Sequence, residues 1–273
     1  MPKTLYVTDL DGTLLTSGQY VSPKSIEIIN RLTEQGMLFS YATARSLITA
    51  KKVTAGLSEK IPVIVNNGVF IADSRSGEKL VKNIFSAEQA EDISQTLTKY
   101  GILPLVYSII DVEEKFSYIP ERMTRSTADF LDTRQGDPRH RPLSSEDGML
   151  DGEPFYFACM DEAGSMSEAC DELKKRYYCV YSKDIYSGDQ WLEILPESAT
   201  KANAVIQLKE YCGCDRLVVF GDGINDIPMF KAADECYAVE NAAAELKEIA
   251  DGIIGGNNED SVAEFILKIH TGS

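Results

Sequence analysis

The chain has 273 residues, an ordinary apolar content of 44% and a formal net charge of −16. That length suits one large domain or two, with a sizeable core. The charge argues against nucleic acid or an anionic membrane as partner, since both need basic surface, but leaves room for a small anion in a local positive pocket.

The start, Met1-Pro2-Lys3-Thr4, lacks the basic and apolar regions of a signal peptide, and no apolar run is long enough to span a bilayer. A cytoplasmic protein is therefore expected. The six dispersed cysteines fit reduced thiols, and "YCGCD" has no second pair to complete a zinc site. "LYVTD" reads as a buried strand. "SPKSIEIINRLTEQG" reads as a helix: Ser22 suits the N-cap, Pro23 the first helical position, and Gly36 the end. "MLFSYAT" is a second strand, "SLITAKKVTAGL" a second helix and "PVIVNN" a third strand closed by Gly68. This βαβαβ order predicts a parallel sheet with helices on both faces.

The middle differs. "LPLVYSII", "EKFSYI", "EPFYFACM" and "YYCVYSKDI" read as strands, with helical stretches near Ser86–Tyr100, Pro120–Arg134 and Ser165–Tyr177. The acidic turn Asp111–Glu114 predicts an antiparallel hairpin. "DTRQGDPRHRPLSSEDG" reads as a polar loop. The α/β pattern then resumes: "TKANAVIQLKEYC" helix, "RLVVFGD" strand, "NDIPMFKAA" helix, "CYAVE" strand, "NAAAELKEIAD" helix. The fold class predicted is thus α/β, a doubly wound, Rossmann-like parallel-sheet core (residues 1–83 and 190–273) with an inserted α+β unit (84–189).

In such sheets ligands sit beyond the carboxyl ends of the strands. Asp9, Thr43, Asn66 and Asp222 all fall there. Each alone has an ordinary structural reading: Asp11-Gly12 is a common turn pair, and Thr43 and Asp222 suit helix caps. Together they converge on one edge. Asp9 and Asp11, two residues apart, lie on the same side of an extended segment and repel unless a cation joins them. With Asp222 and Asp226 the set is all oxygen, which suits Mg²⁺. Lys201 opens a helix, where a cation opposes the helix dipole; it either reaches solvent or faces an anion or these acids. Thr43 with the amide of Ala44 makes an anion cradle at the start of another helix.

"DLDGTLL", "ATAR", "TKANAV" and "GDGINDIPMF", in this order, resemble the four motifs of the haloacid dehalogenase superfamily. The inserted unit resembles the type IIB cap of its Cof-like phosphatases, as do "VNNGVFI" and "VENAAAELKEIAD". The resemblance implies a Mg²⁺-dependent phosphatase acting through an aspartyl phosphate. Asp9 would be the nucleophile. Asp11 would be general acid and then base, with its carbonyl on Mg²⁺. Thr43, Ala44, Arg45, Asn67 and Asn225 would contact the substrate phosphate. Lys201 would offset charge on Asp9 and the phosphate. Asp222 would ligate Mg²⁺, with Asp226 supporting it from behind. Two alanines depart from the family pattern: Ala44 and Ala202 stand where glycine is frequent, although both keep their N–H.

The inserted unit is expected to select a small phosphorylated metabolite, a sugar phosphate by default, with a phosphorylated cofactor also open. Arg122, Arg125, Arg134, Arg139, His140 and Arg141 form its basic concentration, and Tyr107, Tyr118, Tyr156 and Trp191 are its aromatic candidates; a solvated face and a core are their ordinary readings. A monomer or weak homodimer is expected. Two rivals remain at this point: a sugar phosphomutase using the same nucleophile, and an idle module that binds a phosphorylated metabolite.

Overall fold

The computed structural model describes residues 2–161, 166–183 and 188–271. In chain order the regular elements are β1 (Thr4–Thr8), α1 (Pro23–Glu34), β2 (Leu38–Tyr41), α2 (Leu47–Val53), β3 (Val63–Val65), β4 (Phe70–Ala72), β5 (Lys79–Lys82), α3 (Ala87–Lys99), β6 (Leu105–Ile110), β7 (Glu113–Tyr118), α4 (Arg125–Asp132), β8 (His140–Pro142), β9 (Glu153–Asp161), α5 (Met166–Leu173), β10 (Tyr178–Lys183), β11 (Gln190–Leu195), α6 (Lys201–Tyr211), β12 (Arg216–Gly221), α7 (Ile227–Ala232), β13 (Glu235–Val239), α8 (Ala244–Lys247), β14 (Gly252–Ile254) and α9 (Ser261–Thr271). They form two compact units, Met1–Lys82 with Ala199–Ser273, and Asn83–Ser198.

The first unit is built on a parallel sheet of order β14-β13-β12-β1-β2. Leu5 and Val7 of β1, and Leu217, Val218, Val219 and Phe220 of β12, are fully buried, as expected for a central strand covered on both faces. Each such side chain contributes roughly 1.5–3 kcal/mol by leaving water. The amphipathic helix α1 begins as the sequence predicts: the Ser22 hydroxyl accepts the Ser25 N–H, and Ile28, Ile29 and Leu32 are buried. The chain leaves β1 towards β2 on one side, and later returns to β12 on the other. This makes the β1/β12 boundary the topological switch point, where a crevice opens beyond the strand ends.

Several expectations change. Strand β3 meets the parallel sheet in a parallel bridge between Ala42 and Ile64 at the end of β2. It pairs antiparallel with β4, and β4 with β5, in a separate three-stranded sheet. "NAAAELKEIAD" yields only the single turn α8, and β14 and α9 follow it. The helix α2 starts at Leu47, capped by Ser46, three residues later than Thr43, so Thr43 is not the cap.

The second unit is a six-stranded sheet of order β10-β11-β9-β6-β7-β8. The hairpin β6–β7 turns at Asp111 and Val112, both at positive φ. One face packs Val106, Phe157, Cys159, Leu192 and Ile194 against Ile93, Leu97, Ala169 and Leu173 of α3 and α5. Strand β11 is antiparallel to both β9 and β10, which places residues 190–195 in this sheet rather than in the core assigned to 190–273. The stretch read as a polar loop contains β8, parallel to β7. Ser165, the expected start of α5, and Asp184 and Ile185, the end of the "YYCVYSKDI" strand, lie outside the described residues.

Candidate active site

Register delivers the polar groups to one edge. Thr8 stands opposite Phe220 on one side and Tyr41 on the other. The next residue, Asp9, donates its N–H to the Phe220 carbonyl at 2.9 Å, and the Ala42 N–H donates to the Thr8 carbonyl at 2.9 Å. Asp9, Thr43 and Asp222 therefore leave neighbouring strands at the same level.

Asp9 is buried, and so is Lys201 at the first position of α6. Thr200 caps that helix by accepting the Asn203 N–H at 3.1 Å. From there Lys201 Nζ donates to Asp9 Oδ1 at 2.5 Å and to Asp226 Oδ1 at 2.7 Å. The lysine thus faces the acids and not solvent. The other oxygen of Asp226, a fully buried residue, accepts the N–H groups of Asp222 and Gly223, both at 3.1 Å. Thr13 Oγ1 donates to Asp222 Oδ1 at 3.0 Å. Gly12 is required between these groups. Its φ is +78°, and a Cβ there would lie 2.2 Å from Asp222 Oδ2. The Gly12 carbonyl accepts from Asn241 Nδ2 at 2.8 Å, and the Asp222 carbonyl accepts the Ala243 N–H at 2.8 Å. Thr13 and Asn241 escape the sequence reading. Both had a signal: Thr13 follows Asp11-Gly12 directly, and Asn241 lies in "VENAAAELKEIAD", although nothing in that stretch tells that it reaches the Gly12 carbonyl across the fold.

Burial pushes the Asp9 carboxyl up to about 7; the Lys201 ammonium opposes that, while Asp226 and Asp222 add to it. Burial alone would lower Lys201, but the two carboxylates outweigh it and hold the ammonium above the ordinary lysine range. Asp222 is also raised, chiefly by burial. Three carboxylates surround one ammonium, and an excess of buried negative charge is costly unless a cation offsets it.

Asp9, Asp222 and Asp226 each offer an oxygen, and these oxygens lie within 4.8 Å of one another, the one such acidic group among the described residues. An all-carboxylate donor set fits a hard divalent cation such as Mg²⁺. Both oxygens of Asp226 are already engaged, so its place is behind the cluster, orienting Lys201 and the turn at Asp222.

Asp11 does not share this cluster. Asp9 (φ −65°, ψ 162°) and Asp11 (φ −72°, ψ 119°) both keep extended backbone, but the chain turns at Gly12 (φ 78°), and the Asp11 side chain is exposed instead of pairing with Asp9 across a cation. Its carboxylate is gripped by Arg45, with Nε on Oδ2 at 2.8 Å and Nη2 on Oδ1 at 2.5 Å. Arg45, expected on a phosphate, thus holds Asp11 in this structure. Thr43 is fully buried, and its Oγ1 accepts the Arg45 N–H at 3.2 Å, which leaves its own proton to donate. Ala44 is exposed beside it, and Asn225 is exposed on the turn that leads into α7.

The turn after β3 has two consecutive left-handed asparagines, Asn66 (φ 52°) and Asn67 (φ 55°). Such a conformation costs an ordinary residue about 1–2 kcal/mol, and asparagine less. The Asn66 N–H donates to the Arg45 carbonyl and the Asn67 N–H to the Thr43 carbonyl, both at 2.9 Å.

A model of haloacid dehalogenase-like hydrolases matches residues 6–266 of this chain. The chain is 29% identical to the 5-amino-6-(5-phospho-D-ribitylamino)uracil phosphatase YwtE of Bacillus subtilis, over 97% of each protein. It is 25% identical to the pyridoxal phosphate phosphatase YbhA of Escherichia coli, over 98% of this chain and 99% of that one. A crystal structure of a Thermotoga maritima protein superimposes with a TM-score of 0.78 at 23% identity, over 98% of this chain and 97% of the other. A protein from Eubacterium rectale reaches a TM-score of 0.80 at 20% identity, over 98% and 99%. At those identities the two structures speak for the fold alone.

Proposed function

Because the chain belongs to the haloacid dehalogenase-like hydrolases, enzymes that here act on phosphate monoesters, we propose that it is a Mg²⁺-dependent phosphatase of small phosphorylated metabolites with Asp9 as nucleophile. The observation that carries this reading is the buried Asp9–Lys201–Asp226 arrangement with Asp222 beside it, a nucleophile, a fixed positive charge and spare negative charge at one strand edge. Asp9, Asp222 and the Asp11 carbonyl would hold the metal ion, which when bound would offset charge on the transferring phosphoryl group.

Lys201 occupies Asp9 Oδ1 and leaves Oδ2 for attack. In the first half-reaction Asp9 Oδ2 bonds to phosphorus while the ester P–O bond breaks, and Asp11 gives its proton to the departing oxygen. In the second, Asp11 takes a proton from water, the water oxygen bonds to phosphorus, and the bond to Asp9 breaks to release phosphate. Both Asp11 oxygens lie on Arg45, so this cycle requires that ion pair to open when substrate arrives. Thr43 Oγ1, the amide of Ala44, Asn67, Asn225 and Lys201 are assigned to the phosphoryl oxygens, which exploits positioning and charge stabilisation.

The unit Asn83–Ser198 is assigned to selecting the leaving group. Relatives named as phosphatases of 5-amino-6-(5-phospho-D-ribitylamino)uracil and of pyridoxal phosphate support a small phosphorylated metabolite, and within that class sugar phosphates remain the sequence-based default. The described cysteines are all free, which suits a cytoplasmic enzyme, and no helix among the described residues is long and apolar enough to cross a membrane.

The test is phosphate release from a panel of small phosphate monoesters, with Mg²⁺ and with a chelator, for the parent chain and Asp9→Asn. Release that needs both the metal and Asp9 supports the reading. Turnover retained in Asp9→Asn would sink the mechanism. Production of an isomeric sugar phosphate in place of free phosphate would make the chain a mutase.

A further inference from the structure

We propose that the corner Asn66-Asn67-Gly68 is a positioning element for this reaction, one that sets the distance between the Thr43–Arg45 loop and the start of α6. The inference rests on the phosphatase reading and adds to it a part played by the backbone of the corner, separate from the phosphoryl contact assigned to Asn67.

The corner grips the loop through the backbone. Thr43 N–H donates to the Ile64 carbonyl at 3.1 Å, and the N–H groups of Asn66 and Asn67 return to the carbonyls of Arg45 and Thr43 at 2.9 Å each. The second and third bonds are made by two successive residues in the left-handed conformation. Asn66 Oδ1 is buried without a hydrogen-bond partner, so that oxygen does not explain the residue; the backbone conformation that asparagine tolerates does.

The far side of the same corner abuts α6. Gly68 has φ +97°, and a Cβ on it would lie 2.4 Å from the Thr200 carbonyl oxygen and 3.1 Å from the Lys201 nitrogen. Thr200 is the cap of α6, and Lys201 is the residue that reaches Asp9. One three-residue corner therefore bears on the loop that carries Thr43 and Arg45 and on the helix end that carries Lys201. A side chain at Gly68 would separate the two.

The experiment compares Gly68→Ala with Gly77→Ala. Gly77 has φ +79°, but a methyl group added to it would meet nothing within 4 Å, so it matches the backbone strain without the contact. Both variants should melt lower than the parent, Gly68→Ala by more because its methyl group also meets the Thr200 backbone. In Gly68→Ala, kcat/KM for phosphate release should fall by at least about tenfold and inorganic phosphate should bind more weakly by calorimetry, since small displacements of catalytic groups cost that much. Gly77→Ala should keep both parent values. Should Gly68→Ala fail to fold, Asn66→Ala against Asn66→Gly gives the same test: glycine, which accepts the left-handed backbone, should retain much more activity than alanine. Equal kcat/KM and phosphate affinity in Gly68→Ala and Gly77→Ala, or equal losses in Asn66→Gly and Asn66→Ala, would overturn the proposal while leaving the phosphatase reading intact. A parent chain that neither releases nor binds phosphate would bring down both.

Discussion

Each unit buries a group of charged side chains, and the two groups are balanced differently. In the second unit Arg139 is 8% exposed and places Nε and Nη2 on the Asp137 carboxylate at 3.0 and 2.6 Å, with Glu114 at 3.9 Å. Arg134 stacks on the Phe130 ring at 3.5 Å. Two guanidinium groups thus stand beside two carboxylates, Asp137 and Glu114, so the charges match in number. In the first unit, Asp9 and Asp226 share the single ammonium of Lys201, and Asp222 adds a third carboxylate to the cluster. A buried group that balances needs nothing more. A buried group with surplus charge needs a ligand, and that surplus is what separates a reaction centre from a brace.

The strongest way to break this contrast is to remove the ammonium. Lys201→Met leaves Asp9 and Asp226 buried without their common cation; denaturant unfolding should show a loss of about 3–5 kcal/mol, together with loss of turnover. A loss below about 1 kcal/mol would mean that the group is not buried in solution.

Arg139→Met should cost less, about 2–3 kcal/mol, because it removes charged hydrogen bonds from a site that Asp137 shares with water. Its effect should be independent of Mg²⁺. Thermal melts with and without the ion check this: the stabilisation by Mg²⁺ should survive in Arg139→Met.

The brace also has a pH signature. Hydrogen bonds from Arg139 hold the Asp137 carboxyl below the usual carboxylate range. A carboxyl lowered on folding binds its proton less readily in the native state. Its stabilisation is therefore present above the unfolded value of about 3.9 and is lost as pH falls through the lower folded one. Asp137→Asn should be less stable than the parent at pH 7 by about 1.5–2 kcal/mol, and the gap should narrow in melts below about pH 4. A gap that stays constant with pH would show that the contact is not ionic.

The smallest effect is expected at Arg45→Lys. Once the Arg45–Asp11 pair opens, a lysine could not offer the phosphoryl group the fork that Arg45 offers, so kcat/KM should fall by roughly tenfold with little change in melting temperature. An unchanged kcat/KM would mean that the Arg45 fork plays no part in turnover.

Much of the first unit was legible because the pattern is local. Apolar runs ending in Asp9, Thr43 and Asp222 mark parallel strands, and register does the rest. The Ser22 cap and the placement of Lys201 at a helix start were also readable. What failed was set by partners distant in sequence. The Arg45–Asp11 pair spans 34 residues and joins the end of β1 to the loop before α2, a contact that no alternation of residues announces. The β3–β4–β5 sheet was hidden because its strands are three or four residues long and its first two are joined by a left-handed corner. Strand β8, with two basic residues and a proline at a sheet edge, has the composition of a loop. β11 read as the start of the core because only its antiparallel partners, β9 and β10, assign it to the second sheet.

The central claim is that the surplus of carboxylates around Lys201 is there to bind a cation. The direct test is calorimetric titration of Mg²⁺ into the parent chain and into Asp222→Asn, which keeps the shape of the side chain and removes one negative charge. A saturable heat with the parent that disappears in Asp222→Asn is the predicted result. Equal heats in the two proteins, or none in the parent, would contradict it.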